Sequence, residues 1–350
     1  IGAIPASHSI AIEVIDKLGG TPTLEFLVKE GDALPKKGSI NFKSGQTIKA
    51  GSNDSLNIKL WEGEIKSPID DNRFIGVLKI AGTDIDSGVI PTGADIECEF
   101  EMSDSGAINL EVSIPCIGAS FGNHNFYSRQ EGQTDLENID ALAEQGRKLL
   151  ERIKNMSDKV SDPNLENARK KAELAANIDS MENCEPEDVQ KANNELLDAK
   201  KLMHQSRQDN LQVIRQMELD NCVKFFNEVV RQYATSSEQQ MYDNLVRTAQ
   251  HAIDRNENSF DNHLSNLRTK NTMILLRQDW FIVDWYNRAT CATANYIDIA
   301  RFNELKRRGD IALANDNIDE LRQILFELLS IQIHADSGDG MYDAANIIKG

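Results

Sequence analysis

The hydrophobic period of this chain changes once, and that change constrains the fold more than any other feature. From about residue 8 to 115 apolar and polar residues alternate. Ile10, Ile12 and Val14 fall on one side of "SIAIEV", and Leu24, Phe26 and Val28 on one side of "TLEFLV". Leu56, Ile58 and Leu60 do the same in "SLNIKLW", and Ile108, Leu110, Val112 and Ile114 in "AINLEVSI". In "DIECEFEM", Ile96, Cys98, Phe100 and Met102 alternate with Glu97, Glu99 and Glu101. A period of two sends every second side chain to the same face, so these segments predict half-buried antiparallel strands. "SDSG" at 103–106 predicts a hairpin turn, and Gly19-Gly20, Gly31-Asp32, Gly45 and Gly51 punctuate the rest. Many short strands with frequent turns predict a β-sandwich over residues 1–120.

"SFGNHNFYSRQEGQ", residues 120–133, has no period and marks the junction. Beyond it the period is 3.6. Leu136, Ile139, Leu142, Leu149 and Ile153 form one stripe of "DLENIDALAEQGRKLLERIKNM". Asp162-Pro163 predicts a capped helix start, and Glu185-Pro186 a second one. "SSEQQMYDNLVRTAQHAI" and "NIDELRQILFELLSI" have the same character. The fold class is therefore mixed: β first, then an all-helical array too long and too polar for one compact core. The tail from 336 to 350 is set apart as flexible.

Charge and composition exclude several classes. Acidic residues outnumber basic ones, 56 to 38, for a formal net charge of −18. A phosphate backbone needs a basic patch, so nucleic acid is not an expected partner. No apolar run reaches the ~18 residues of a membrane helix, so a membrane is not expected either. Cys98, Cys116, Cys184, Cys222 and Cys291 are scattered and odd in number, as expected of free thiols in a reducing cytoplasm. The opening "IGAIPAS" has neither initiator Met nor signal peptide, and it reads as a cut inside a longer protein.

Catalytic signatures are missing. None of the six histidines sits in HExxH or beside a cysteine pair, and there is no GxSxG, Walker loop or GxGxxG. Glu97, Glu99 and Glu101 form a row that reads as a solvated strand face, and Trp280 and Trp285 read as core-packing residues of a helix. No catalytic residue, metal site or cofactor is expected within this chain.

The order of the β segments carries a resemblance. "SIAIEVIDKLGG" (9–20), "LVKEGDALPKKGS" (27–39), "SLNIKLWEGE" (55–64), "RFIGVLKIAG" (73–82) and "GADIECEFEMSDSGAINLEVSI" (93–114) together cover about a third of the chain. In order and spacing they resemble the substrate-binding domain of the DnaK-type chaperones, the seventy-kilodalton heat-shock family. The resemblance implies a sandwich that holds a short extended peptide between its loops by backbone hydrogen bonds and one apolar pocket. Carried over by position, the peptide-binding residues are Ile12 and Ile15 from the first strand and loop, Phe42 after the Leu34-Pro35-Lys36-Lys37 turn, Leu56 and Ile58, and Ile96. Leu56 is larger than the residue usual there, which predicts a shallower pocket. The acidic exterior is expected to favour clients with basic flanks.

The helices at 121–205 resemble the family's lid, and those at 206–335 form an additional bundle beyond it. The resemblance further implies unfolded or extended polypeptide as partner, with J-domain protein and nucleotide exchange factor as co-chaperones. ATP and magnesium would belong to an ATPase domain outside this chain. The alternative is a structural module in which the helical half docks a dedicated partner, or self-associates through residues 259–300.

Overall fold

A computed structural model describes residues 4–16, 22–66, 68–122, 126–128, 139–181, 184–291, 296, 298–332 and 347–349. The chain divides into two compact units. The first comprises Ile1–Gln130 together with Ala344–Gly350, and the second Glu131–Asp343. The chain thus leaves the first unit within the aperiodic stretch and returns to it at its far end.

The first unit is built of β-strands: β1 Ile4–Pro5, β2 Ile10–Ile15, β3 Pro22–Val28, β4 Ala33–Leu34, β5 Lys36–Ser44, β6 Ile48–Lys49, β7 Ser55–Glu62, β8 Arg73–Ala81, β9 Val89–Ile90, β10 Asp95–Met102, β11 Ile108–Ile114, β12 Ala119–Phe121, β13 Phe126–Ser128 and β14 Ile347–Lys349. Two antiparallel ladders make up most of it. One runs β12-β11-β10-β5, and the other runs β2-β7-β8-β13 with β3 on the opposite edge of β2. β14 lies between β5 and β2 and joins the ladders. A single apolar core draws Ile12, Leu56 and Ile58 from one ladder and Phe42, Ile96, Cys98 and Val112 from the other.

The period of two holds best in β10. Ile96, Cys98, Phe100 and Met102 are buried, and Glu97, Glu99 and Glu101 face solvent. The turn after it is closed by Ser103 N–H donating to Ala107 O at 2.9 Å, with Gly106 at φ +85°. In β3 the alternation fails. Val28 pairs with Ile10 but Phe26 with Ala11, so Leu27 is the extra residue of a bulge. A bulge turns two successive side chains to one side. Leu27 and Val28 are therefore both buried, while Leu24 and Phe26 are only half-buried.

The expected solvated face is also lost at β2 and β7. Ala11, Glu13, Lys59 and Trp61 are buried along with the core-facing positions. Trp61 Nε1 donates to Glu13 Oε2 at 2.9 Å, which gives that buried carboxylate a partner. Nor do Lys36 and Lys37 form a turn. They open β5 directly after the cis Leu34–Pro35 peptide. Lys36 pairs with Asp32 at 2.5 Å and Lys37 with Glu101 at 2.9 Å across the ladder.

Among the described residues the second unit has nine α-helices: α1 Ile139–Ser157, α2 Pro163–Ala176, α3 Pro186–Asp209, α4 Leu211–Phe225, α5 Ser236–Asp254, α6 Phe260–Leu275, α7 Asp279–Thr290, α8 Ile299–Ala314 and α9 Ile318–Ser330. The cap at Asp162 forms, with its carboxylate accepting from Asn164 N–H at 2.8 Å, and Pro186 opens α3. Leu142, Leu149 and Ile153 are buried as the stripe requires, Ile139 is half-buried, and Leu136 lies outside the described residues. The helices enclose two apolar cores. One gathers residues from Leu142 to Ile214, and the other from Leu219 to Leu329. The division falls inside α4 rather than near residue 205, which sits within α3. Trp285 is core, but Trp280 is 45 % exposed, against the expectation that both pack inside. They lie five residues apart, which a helix cannot place on one face.

The segment 336–350, expected to be a flexible tail, needs correction at its end. Ile347–Lys349 is a strand of the first unit. Residues 336–346 lie outside the described residues.

Candidate functional site

β2 is six residues long and all six are buried. On one edge it pairs with β3. On the other, β7 covers Ile10, Ala11 and Ile12 only. Beyond Ile12 that edge is taken by β14, which runs parallel to β2 with Ile348 opposite Ile15. The other side of β14 is antiparallel to β5: Ile347 faces Ser44, Ile348 faces Lys43 and Lys349 faces Phe42. A three-residue segment is therefore held by main chain on both sides, between two ladders that otherwise do not pair among the described residues.

Ile347 is fully buried and belongs to the same core as Ile12, Phe42, Leu56, Ile58 and Ile96. Five of the six residues singled out from the sequence thus share a core with the side chain of this segment. Ile15 is buried but stands outside that cluster. It meets the segment through strand pairing with Ile348. Fully burying one aliphatic side chain contributes ~1.5–3 kcal/mol.

The rim of the site carries charge. Lys349 Nζ lies 2.8 Å from Glu25 Oε2 on β3. The hydrogen bond from Lys349 to Glu25 raises the lysine pKa, helped by the charges of Glu25 and then Asp16. Lys43, opposite Ile348, pairs with Asp95 at 3.0 Å. Glu25 and Ile347–Lys349 escape a reading by period. Glu25 looks like any solvated strand residue, and a strand of three is too short to show alternation. The signal that remains is the aliphatic pair in "NIIKG", in a terminal stretch from 334 that has no other Ile, Leu or Val. The turn predicted at Gly19-Gly20 lies outside the described residues.

Among the described residues no group of three or more His, Cys, Asp or Glu side chains could hold a metal ion. Burial, and secondarily Glu99, pushes the Cys98 thiol up to about 12, so it is no nucleophile near neutral pH. The arrangement is suited to taking an extended backbone into a sheet edge, fixing its register with one apolar anchor and testing one charge beside it.

No described helix is long and apolar enough to cross a membrane. The chain matches no protein-family model, and no curated protein matches it.

Proposed function

We propose that the first unit is a DnaK-type peptide-binding sandwich whose groove lies between β2 and β5. It binds short extended segments of unfolded or client proteins, with no catalysis of its own. The two ladders are the two sheets of the sandwich, and Ile12, Phe42, Leu56, Ile58 and Ile96 form its pocket. ATP hydrolysis, magnesium and the co-chaperones would belong to an ATPase domain outside this chain. The observation that supports the reading is that Ile347–Lys349 pairs with both β2 and β5, with Ile347 in the same apolar core as Ile12, Phe42, Leu56, Ile58 and Ile96. Main-chain pairing with one buried anchor gives weak, sequence-tolerant binding once ordering costs are subtracted.

The test is fluorescence anisotropy with a labelled peptide, a leucine centre flanked by arginines, against a Leu→Asp peptide. It is run on the wild-type chain and on Ile347→Asp, which vacates the groove. Micromolar binding to the variant, lost with the aspartate peptide, is the expected result. No binding to either folded chain sinks the reading.

One observation favours the alternative, a helical half that self-associates. Trp280 is 45 % exposed, and its ring stands 6.2 Å from that of Tyr233. Sedimentation that shows a dimer dissolved by Trp280→Ala, with no peptide binding, would support that reading instead.

A further inference from the structure

The geometry points to Ile347–Lys349 as an in-cis ligand of the groove: it competes with peptides of its own pattern, an aliphatic anchor followed two positions later by a lysine or arginine read by Glu25. This inference rests on the peptide-binding reading and adds to it the occupant, the charge rule and the direction of the bound chain.

Three observations carry it. First, the two ladders are each continuous without β14. Ile347–Lys349 adds pairs only to the free edges of β2 and β5, and every other strand keeps its own partner when it leaves. Second, the described anchors of the segment are few. One isoleucine is fully buried, Ile348 pairs through its backbone with Ile15 and Lys43, and Lys349 is held by an ion pair at the surface. Fixing the backbone of three residues offsets much of what one buried isoleucine contributes. A short segment so held is expected to open more readily than a long strand with a row of buried side chains. Third, the contacts form a pattern a free peptide can copy. Ile347 enters the apolar core, and two residues later Lys349 meets Glu25 with Asp16 also near in charge. A peptide running parallel to β2 and antiparallel to β5, with the same spacing, would make the same contacts. Because the segment belongs to the same chain, it competes at a fixed local concentration, and an outside peptide must exceed it.

The experiment uses the full chain and a labelled hexapeptide, Ala-Asn-Ile-Ile-Lys-Gly, copied from residues 345–350. It is titrated into wild type, Ile347→Asp and Glu25→Lys on the Ile347→Asp background. Circular dichroism and thermal melting verify folding. Binding to Ile347→Asp is expected to be tighter than to wild type by about tenfold or more. A peptide with aspartate at the anchor should not bind. Glu25→Lys should weaken the lysine peptide several-fold and strengthen one with glutamate at that position. Equal affinity for wild type and Ile347→Asp would overturn the in-cis ligand while leaving peptide binding intact. No peptide binding to a folded Ile347→Asp chain would overturn both. If Ile347→Asp and a chain ending after Asp343 both fail to fold, the strand is an integral member of the sheet, and the inference falls.

Discussion

The two units bury their apolar surface in opposite ways. In the helical unit each core comes from helices that follow one another along the chain. Residues from Leu142 to Ile214 make one core, and those from Leu219 to Leu329 the other. Where they meet, charge is buried in company: Arg207 lies 2.9 Å from Glu218 and 2.7 Å from Asp261, and Arg215 3.6 Å from Asp261. Burial works against the Arg207 charge, but the hydrogen bonds it donates to Glu218 and Asp261, with the charges of those carboxylates, outweigh it and raise its pKa. The β unit instead completes its core with Ile347, from the opposite end of the sequence. Helices satisfy their backbones locally, whereas strands leave edges that something must pair. The helical unit therefore draws its cores from neighbouring helices, while the β unit has edges on β2 and β5 that Ile347–Lys349 pairs.

The harshest way to break this comparison is Leu56→Asp. Leu56 is fully buried in the β core, and an unpartnered carboxylate there should cost more than ~4 kcal/mol and unfold that unit. Cys98 and Cys222 report the units separately, since each is buried in one of them. Thiol labelling should show Cys98 exposed and Cys222 still protected. Equal exposure of both would mean the units do not fold independently.

Next in size is Gly146→Ala in α1. A Cβ there would fall on the backbone of Ala175 and Ala176, which cannot move aside. Overpacking of this kind costs ~1–3 kcal/mol, and a denaturant melt of the helical unit should show it. Gly38→Ala in β5 should cost less. Its Cβ would lie 2.7 Å from Cζ of Phe100, a ring at the margin of the β core that can swing away.

A smaller effect is confined to acid. The hydrogen bond from Arg277, and then the Thr235 N–H, lower the Glu238 pKa to about 2. The unfolded carboxylate titrates near ~4.3. The folded value lies below it, so the contribution is whole above that pH and fades as pH falls toward 2. NMR titration should find Glu238 near 2 in wild type and well above it in Arg277→Ala. An unchanged value would remove Arg277 as the cause.

The smallest perturbation is chemical. Cys116 and Cys291 are exposed and should react with a thiol reagent at once in the native chain. Cys98, its thiol pushed up to about 12 by burial, should react only on opening of the β unit. Early labelling of Cys98 would show that the β core opens more readily than its burial suggests.

Much of the local architecture was legible from period and caps. Ile96, Cys98, Phe100 and Met102 sit inside and Glu97, Glu99 and Glu101 outside, because β10 is a regular strand with one wet face. Asp162-Pro163 and Glu185-Pro186 start helices because capping is decided within a few residues. The errors arose where a neighbour distant in sequence intervened. The bulge at Leu27 comes from pairing with β2, and the burial of Glu13 depends on Trp61. Ile12, Ile15, Phe42, Leu56, Ile58 and Ile96 were nameable one by one as apolar positions, but the sharing of a core with Ile347 by five of them, and the strand pair of Ile15 with Ile348, were not.

The sequence by itself determined the class of each half, the helix starts and most of the apolar positions, since these follow from periods and caps acting over a few residues. Only the tertiary structure decided that β2 and β5 present free edges to one segment, and that the segment is Ile347–Lys349. The physical reason is that strand pairing is a long-range bond. Its partner is chosen by which edges remain open after the rest of the fold has closed, and a stretch of three residues carries no period to announce it.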